Sequence, residues 1–240
     1  MEGFSPWYVL AIAVYAGVFY LTYRFRPPTV GSRAPDGESG LLGLAISFWL
    51  FGHLGAFIPW ASGSAFAAHT VTAAVRFVGS LLILRCVTNP RGLGLGRPRP
   101  TWLPLWGLGC FVIYLPVLAL LSQLRSDVVD QDAVRQVQAA TDLLTQGALL
   151  ISLVLVTPVF EELIFRGLLQ RVLIRETGPG AGILITALVF MVIHPRGVWI
   201  DVFTLGILLG YAYQRTRSLY VPIAIHLANN ALAFVVFTAA

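Results

Sequence analysis

Residues 145–170 have the sequence TQGALLISLVLVTPVFEELIFRGLLQ, an apolar run interrupted by two adjacent glutamates and an arginine. A helix that crosses the hydrocarbon of a bilayer needs ~20 mostly apolar residues, and this run is long enough. Ionisable side chains inside such a helix cost roughly 2.5–3.5 kcal/mol each on insertion scales, so they indicate a functional site by default. We therefore predict a membrane-spanning helix built around Glu161, Glu162 and Arg166.

Comparable apolar runs occur along the rest of the chain. They lie at 7–23, 41–60, 66–86, 103–122, 180–195, 198–213 and 219–238. With 57% hydrophobic and 11% charged residues, the 240-residue chain has too little polar surface for a soluble globule of its size. The sequence predicts an all-α, polytopic membrane protein with about eight transmembrane helices, surrounded by a lipid bilayer.

The arginines are distributed unevenly between the connections. They follow the first, third, fifth and seventh runs: Arg24, Arg26 and Arg33; Arg91, Arg97 and Arg99; Arg171 and Arg175; Arg215 and Arg217. Cytoplasmic loops collect positive residues, so this alternation predicts that both termini lie outside. The formal net charge of +5 is explained in this way, and no basic face remains for a nucleic acid.

The chain divides into two predicted parts. Residues 1–144 hold the first four spans and their loops. They end in a segment, Ser126–Leu144, whose apolar residues recur at helical spacing and predict an amphipathic connecting helix. Residues 145–240 hold the last four spans and the costly polar groups, and they are the predicted catalytic core. Arg76 lies inside the third run, where we expect it to pair with a carboxylate such as Asp201 or to extend toward the interface.

Helical spacing distinguishes the two adjacent glutamates. Glu162 and Arg166 are four residues apart, so a helix stacks them on one face, where they can form an ion pair. Glu161 is rotated by about 100° from Glu162 and remains available for chemistry. A purely structural ion pair and a direct catalytic role are both open for Glu162 and Arg166.

Three further polar residues lie inside the later apolar runs. His226 and Asn230 are four residues apart and share one helix face, while His194 lies near the end of the run at 180–195. The depths of these residues along their helices predict that they meet Glu161 in one layer of the bundle. The alternatives are helix-packing hydrogen bonds for His226 and Asn230, and a capping role for His194.

These residue types suit hydrolysis. A buried carboxylate can act as a general base toward water, an imidazole can hold that water, and further donors can stabilise an oxyanion. The other route is a divalent metal such as zinc, held by Glu161, His194 and His226, which generates hydroxide from bound water. The residues leave both routes open.

Three motifs in this order resemble those of the CPBP family of intramembrane endopeptidases, also called the Abi or CAAX protease family. They are Glu161-Glu162-x-x-x-Arg166, Phe190-x-x-x-His194 and His226-x-x-x-Asn230, and the similarity extends over Leu150–Phe237. The resemblance implies an eight-helix fold, Glu161 as general base, His194 assisting the water, and His226 with Asn230 as the oxyanion hole. It also implies membrane-associated protein or peptide substrates, including lipidated ones, and a place in the bacterial cytoplasmic membrane.

Two other functions fit the same residues. Embedded glutamates and histidines also serve in transporters and proton paths. A non-proteolytic immunity or regulatory protein on the same scaffold is the second alternative.

Overall fold

The computed structural model describes residues 65–86, 93–96, 101–124, 138, 140 and 142–239. The spans predicted at 7–23 and 41–60, and most of the segment Ser126–Leu144, lie outside the described residues. The helices with described bounds are α1 (Ala65–Cys86), α2 (Leu103–Leu124), α3 (Leu143–Thr177), α4 (Pro179–Val192), α5 (Trp199–Thr216) and α6 (Tyr220–Ala239). No strand occurs among the described residues, and this part of the predicted fold class is confirmed.

Three of these helices are long and apolar enough to cross a membrane. They contain the candidate spans Leu103–Leu121, Leu143–Thr177 and Tyr220–Thr238. Helix α4 is apolar but has only 14 residues, and α5 carries Asp201 in its first turn and Arg215 in its last. The described residues therefore support a membrane protein without confirming the predicted count of eight spans.

Helix α3 lies at the centre of the fold and contains two π-helical stretches, so its winding changes four times along its length. Its first residues are capped by Asp142, whose side chain accepts a hydrogen bond of 2.9 Å from the backbone N–H of Thr145. Two stretches, Leu150–Val156 and Leu163–Leu169, are wound as π-helix, and the α-helical turn Thr157–Glu162 lies between them. π-Helical stretches are rare and often accompany functional sites.

The start of α3 is set by a capping residue. Asp142 has an extended backbone, with φ −101° and ψ 148°, and helix begins only at Leu143. The amphipathic connecting helix predicted for Ser126–Leu144 lies almost entirely outside the described residues and stays a prediction.

Small residues let the helices around α3 approach closely. A Cβ added at Gly206 of α5 would lie 3.1 Å from the Cβ of Ala187 in α4, and one added at Gly182 would lie 2.8 Å from the backbone nitrogen of Ile174. Gly206 and Gly210 form the G-x-x-x-G spacing that allows close helix contact in membranes. Phe190 is buried within this tight packing.

The outer helices expose large apolar side chains. Ile113 and Val112 of α2 are 78% and 61% exposed, and Val235 of α6 is 60% exposed. Apolar surface of this extent is stable when it faces lipid, as the composition predicted. The polar side chains of the site lie on the opposite, inner side of the bundle.

Candidate active site

Glu162 and Arg166 form a completely buried ion pair at the centre of α3. Arg166 Nη1 donates to Glu162 Oε1 over 2.8 Å, and both side chains have no exposed surface. Arg166 Nη2 also donates to the backbone oxygen of Gly206 over 3.3 Å, and the guanidinium lies 4.7 Å from the ring centroid of Phe190. The ion pair predicted from the spacing is therefore present, and it also joins α3 to α5.

His226 connects the two glutamates. Its Nδ1 lies 2.8 Å from Glu162 Oε1, and its Nε2 lies 3.8 Å from Glu161 Oε2. Because Glu162 is paired with Arg166 as a carboxylate, it accepts, so we infer that Nδ1–H donates to it. The nitrogen that faces Glu161 is then Nε2. The link from His226 to Glu162 is new information, since the sequence predicted only Arg166 as a partner of Glu162.

Glu161 is buried but bonded less tightly than Glu162. Its side chain is 6% exposed, and the 3.8 Å separation from His226 Nε2 exceeds the length of a hydrogen bond. Both atoms consequently keep hydrogen-bonding capacity for a third group, such as a water molecule. Two carboxylates that are adjacent in sequence thus have different surroundings.

His194 lies immediately beyond the end of α4. Its backbone N–H donates to the oxygen of Met191 over 3.0 Å, and its ring Nδ1 lies 2.6 Å from the carbonyl oxygen of Phe190. A carbonyl only accepts, so Nδ1 carries the proton and Nε2 carries the lone pair. The indole of Trp199 donates to the His194 carbonyl oxygen over 2.8 Å, which holds the residue from the far side. The imidazole is close enough to Glu161 and His226 to interact with them electrostatically.

Asn230 is bonded to the backbone of α3. Its Nδ2 donates to the carbonyl oxygen of Leu153 over 2.9 Å, within the first π-helical stretch. Asn229 donates to the Asn230 side-chain oxygen over 3.2 Å. This is the helix-packing bond considered above for Asn230, and it leaves the second amide hydrogen of Asn230 for another acceptor.

Arg76 of α1 is a site residue that the sequence did not assign. It is buried, and its Nη1 donates to the hydroxyl oxygen of Thr157, one helical turn before Glu161. It also interacts electrostatically with Glu161 and His194. The available signal was an arginine in the middle of an apolar run. Its partner could not be identified, because α1 and α3 are far apart in sequence.

The candidate metal ligands were tested against the same geometry. Among the described residues, no three or more histidine, cysteine, aspartate or glutamate side chains are arranged to hold a metal ion. Glu161, His194 and His226 are neighbours, but their arrangement does not fit a zinc centre with three protein ligands.

Comparison with known proteins adds a family. A family model described as "Type II CAAX prenyl endopeptidase Rce1-like" matches residues 144–232. This match confirms the resemblance to the CAAX protease family that the three motifs predicted. No curated protein and no solved structure matches the chain. All six predicted site residues lie inside this CAAX protease region, whereas α1 with Arg76 lies outside it. The family match and the three apolar helices long enough to cross a membrane are those of an integral membrane protein.

Proposed function

We propose that this chain is an intramembrane endopeptidase that hydrolyses peptide bonds of membrane-associated proteins or peptides, with residues 145–240 as its catalytic core. One observation carries the proposal. A buried carboxylate, Glu161, faces the free nitrogen of a histidine whose other nitrogen is held by a second carboxylate. These side chains can activate a water molecule without a divalent metal ion.

The first step is the orientation of His226. Arg166 and His226 bond the same oxygen of Glu162, each over 2.8 Å. The imidazole cannot turn without breaking a buried, charge-assisted hydrogen bond, which is a costly loss. Acid–base sites commonly use such a third group to orient an imidazole. Glu162 and Arg166 thereby direct Nε2 of His226 toward Glu161.

The second step is the activation of water. Glu161 removes a proton from a water molecule, and the Nε2 lone pair of His194 accepts a hydrogen bond from the other hydrogen. The water oxygen attacks the carbonyl carbon of the scissile peptide bond. General-base catalysis of this kind contributes about 10²–10⁴-fold to a rate.

The third step is the stabilisation and collapse of the tetrahedral intermediate. In this step His226 acts as an imidazolium that keeps both protons throughout the reaction, with Nδ1–H bonded to Glu162 and Nε2–H on the side of Glu161. Nε2–H and the second amide hydrogen of Asn230 donate to the oxyanion, which develops in a water-poor site where such bonds are strong. The carbon–nitrogen bond then breaks, and Glu161 returns its proton to the leaving amine. Atoms and protons balance: one water enters, and a carboxylic acid and an amine leave.

The surroundings of the site determine the substrate class. The catalytic groups lie within apolar helices, so the scissile bond must reach them from the membrane. A lipid anchor on the substrate supplies that proximity, which accords with the prenyl endopeptidase in the family description. The predicted bacterial cytoplasmic location, with both termini outside, is part of the proposal.

The decisive experiment follows cleavage of membrane-tethered peptides, with and without a prenyl group, by purified protein in liposomes. We expect Glu161→Gln to lower kcat by about 10³-fold, because the general base is lost. Glu176→Gln changes an exposed glutamate near the end of the same helix and is the matched control. Wild-type kcat in a folded Glu161→Gln variant would overturn the mechanism. Solute or proton flux through wild-type protein, with no peptide product, would replace the proposal by a transporter.

A further inference from the structure

One cation of the site comes from outside the CAAX protease region. Arg76 belongs to α1 (Ala65–Cys86), whereas the family match begins at residue 144. The arginine is 6% exposed. Burying an arginine in an apolar bundle is costly unless the charge is compensated, so its position requires an explanation.

The contacts of Arg76 lead to the catalytic turn. Its Nη1 donates to the Thr157 hydroxyl oxygen. Thr157 and Glu161 are four residues apart on the α-helical stretch between the two π-helical stretches, so they share one face. Arg76 is thus bonded to the turn that carries Glu161, and it interacts electrostatically with that carboxylate.

We propose that Arg76 is a positioning residue for Glu161, supplied to the active site by a helix outside the family region. The inference rests on the proposed function, in which Glu161 is the general base. The guanidinium stabilises the ionised carboxylate that accepts the proton, and its bond to Thr157 fixes the distance between α1 and the catalytic turn. The site is therefore incomplete without the N-terminal part of the chain.

A positioning role and a structural role predict different kinetics. Loss of a group that orients the base lowers kcat, while substrate binding and KM stay nearly constant. Loss of a merely structural charge lowers the amount of folded protein and leaves the kcat of the folded fraction unchanged. A lysine keeps the positive charge but lacks the planar guanidinium, so it restores part of a positioning role.

The test compares Arg76→Gln, Arg76→Lys and the control Arg85→Gln, which changes an exposed arginine at the end of the same helix. Cleavage is measured on full-length protein in liposomes, with the folded fraction determined by size-exclusion chromatography. We expect Arg76→Gln to lower kcat by about 10–100-fold with KM changed less than about twofold. Arg76→Lys should recover to within about tenfold of wild-type kcat, and Arg85→Gln should retain wild-type values.

Two results would overturn the inference. The first is wild-type kcat in folded Arg76→Gln, and the second is a Lys variant as impaired as the Gln variant. If Arg76→Gln does not fold, Thr157→Val tests the positioning role instead, because it removes the hydroxyl that accepts the hydrogen bond from Arg76 with little change in volume. A folded Thr157→Val variant with lowered kcat supports the inference, and one with wild-type kcat overturns it. Glu161→Gln in the same assay distinguishes the two hypotheses. If Glu161→Gln keeps wild-type activity, the proposed function is wrong. If Glu161→Gln is inactive while folded Arg76→Gln keeps wild-type kcat, only the positioning role of Arg76 is wrong.

Discussion

The two faces of α3 differ in how their polar side chains are held. On the face toward α5, Glu162, Arg166 and Gln170 follow one another at four-residue spacing, and none of them has exposed surface. Arg166 and Gln170 donate to the backbone oxygens of Gly206 and Gly210, over 3.3 and 2.9 Å. On the face toward α1, Glu161 keeps capacity for water. Burial is similar on both faces, so partners rather than burial distinguish Glu162 from Glu161, the proposed base.

Removing Arg166, the cation on the face of α3 toward α5 (the anchored face), should cause the largest loss of stability. Arg166→Met leaves the Glu162 carboxylate buried with one charged partner fewer. We expect a loss of about 3–5 kcal/mol, as is typical when one member of a buried ion pair is removed. Chemical unfolding of detergent-solubilised protein measures this change.

Glu161→Gln is the comparison for Arg166→Met on the other face. We expect a smaller loss of stability from it, because the 3.8 Å contact of Glu161 with His226 is longer than the 2.8 Å bonds of Glu162. Equal losses in the two variants would mean that both faces anchor the fold.

The close approach of α4 and α5 behind the anchored face offers a second test. In Gly206→Ala the added Cβ would lie 3.1 and 3.2 Å from the Cβ and Cα of Ala187, which must shift. Overpacking of this kind costs about 1–3 kcal/mol. In Gly109→Ala the added Cβ meets no atom within 4 Å, so this control should lose nothing. A thermal unfolding midpoint for Gly206→Ala equal to the wild-type value would show that the interface is looser than described.

Loss of the hydrogen bond between α6 and the first π-helical stretch should lower the stability by a smaller amount. Asn230→Ala removes the 2.9 Å hydrogen bond to the Leu153 carbonyl oxygen. A hydrogen bond of this kind contributes about 1 kcal/mol, and we expect that loss in the same unfolding experiment. Asn229 donates to the side chain of Asn230 and not to α3, so Asn229→Ala should cause a smaller loss of stability. A larger loss of stability in Asn229→Ala than in Asn230→Ala would mean that Asn229 makes the more important contact.

The smallest effect concerns the exposed beginning of α3 and depends on pH. Hydrogen bonds from Thr145 hold the pKa of Asp142 below its ordinary value of 3.8. A carboxylate with a depressed pKa stabilises the fold above its unfolded pKa, and this stabilisation is lost as the pH falls through the folded pKa. The protection factor of the Thr145 amide in hydrogen exchange, which is normalised to the intrinsic exchange rate at each pH, should therefore be high at neutral pH and should fall as the pH drops through the depressed pKa of Asp142.

Asp142→Asn is the control for this pH dependence. Asparagine keeps a capping oxygen but does not titrate, so its protection of the Thr145 amide should not vary with pH in this range. An equally pH-dependent protection factor in the asparagine variant would attribute the effect to another group.

Local helical geometry allowed part of the site to be predicted from the sequence. The pairing of Glu162 with Arg166 follows from four-residue spacing alone, and the structure has it at 2.8 Å. The contact of His226 with Glu162 does not follow from spacing, because it depends on how α6 packs against α3. The same is true of Arg76 and Thr157, which are separated by 81 residues.

The fold was predictable to a similar extent. Composition and apolar runs predicted helices in a membrane, and the described residues are helical throughout their long elements. The two π-helical stretches of α3 could not be predicted, since Leu150–Val156 and Leu163–Leu169 contain ordinary helix-forming residues. Asn230 of α6 donates to the carbonyl oxygen of Leu153 in the first of these stretches, a contact that spacing within α3 does not reveal.

The brevity of α4 has a consequence for the bilayer around it. Its 14 residues rise about 21 Å, whereas the hydrocarbon layer is about 30 Å thick. Such a negative hydrophobic mismatch is relieved by thinning the bilayer or by drawing head groups and water toward the helix end. That end is followed by His194 and the exposed Pro195 and Arg196. Thinning of the membrane next to α4 would shorten the path by which bulk water reaches Glu161, the base of the proposed mechanism.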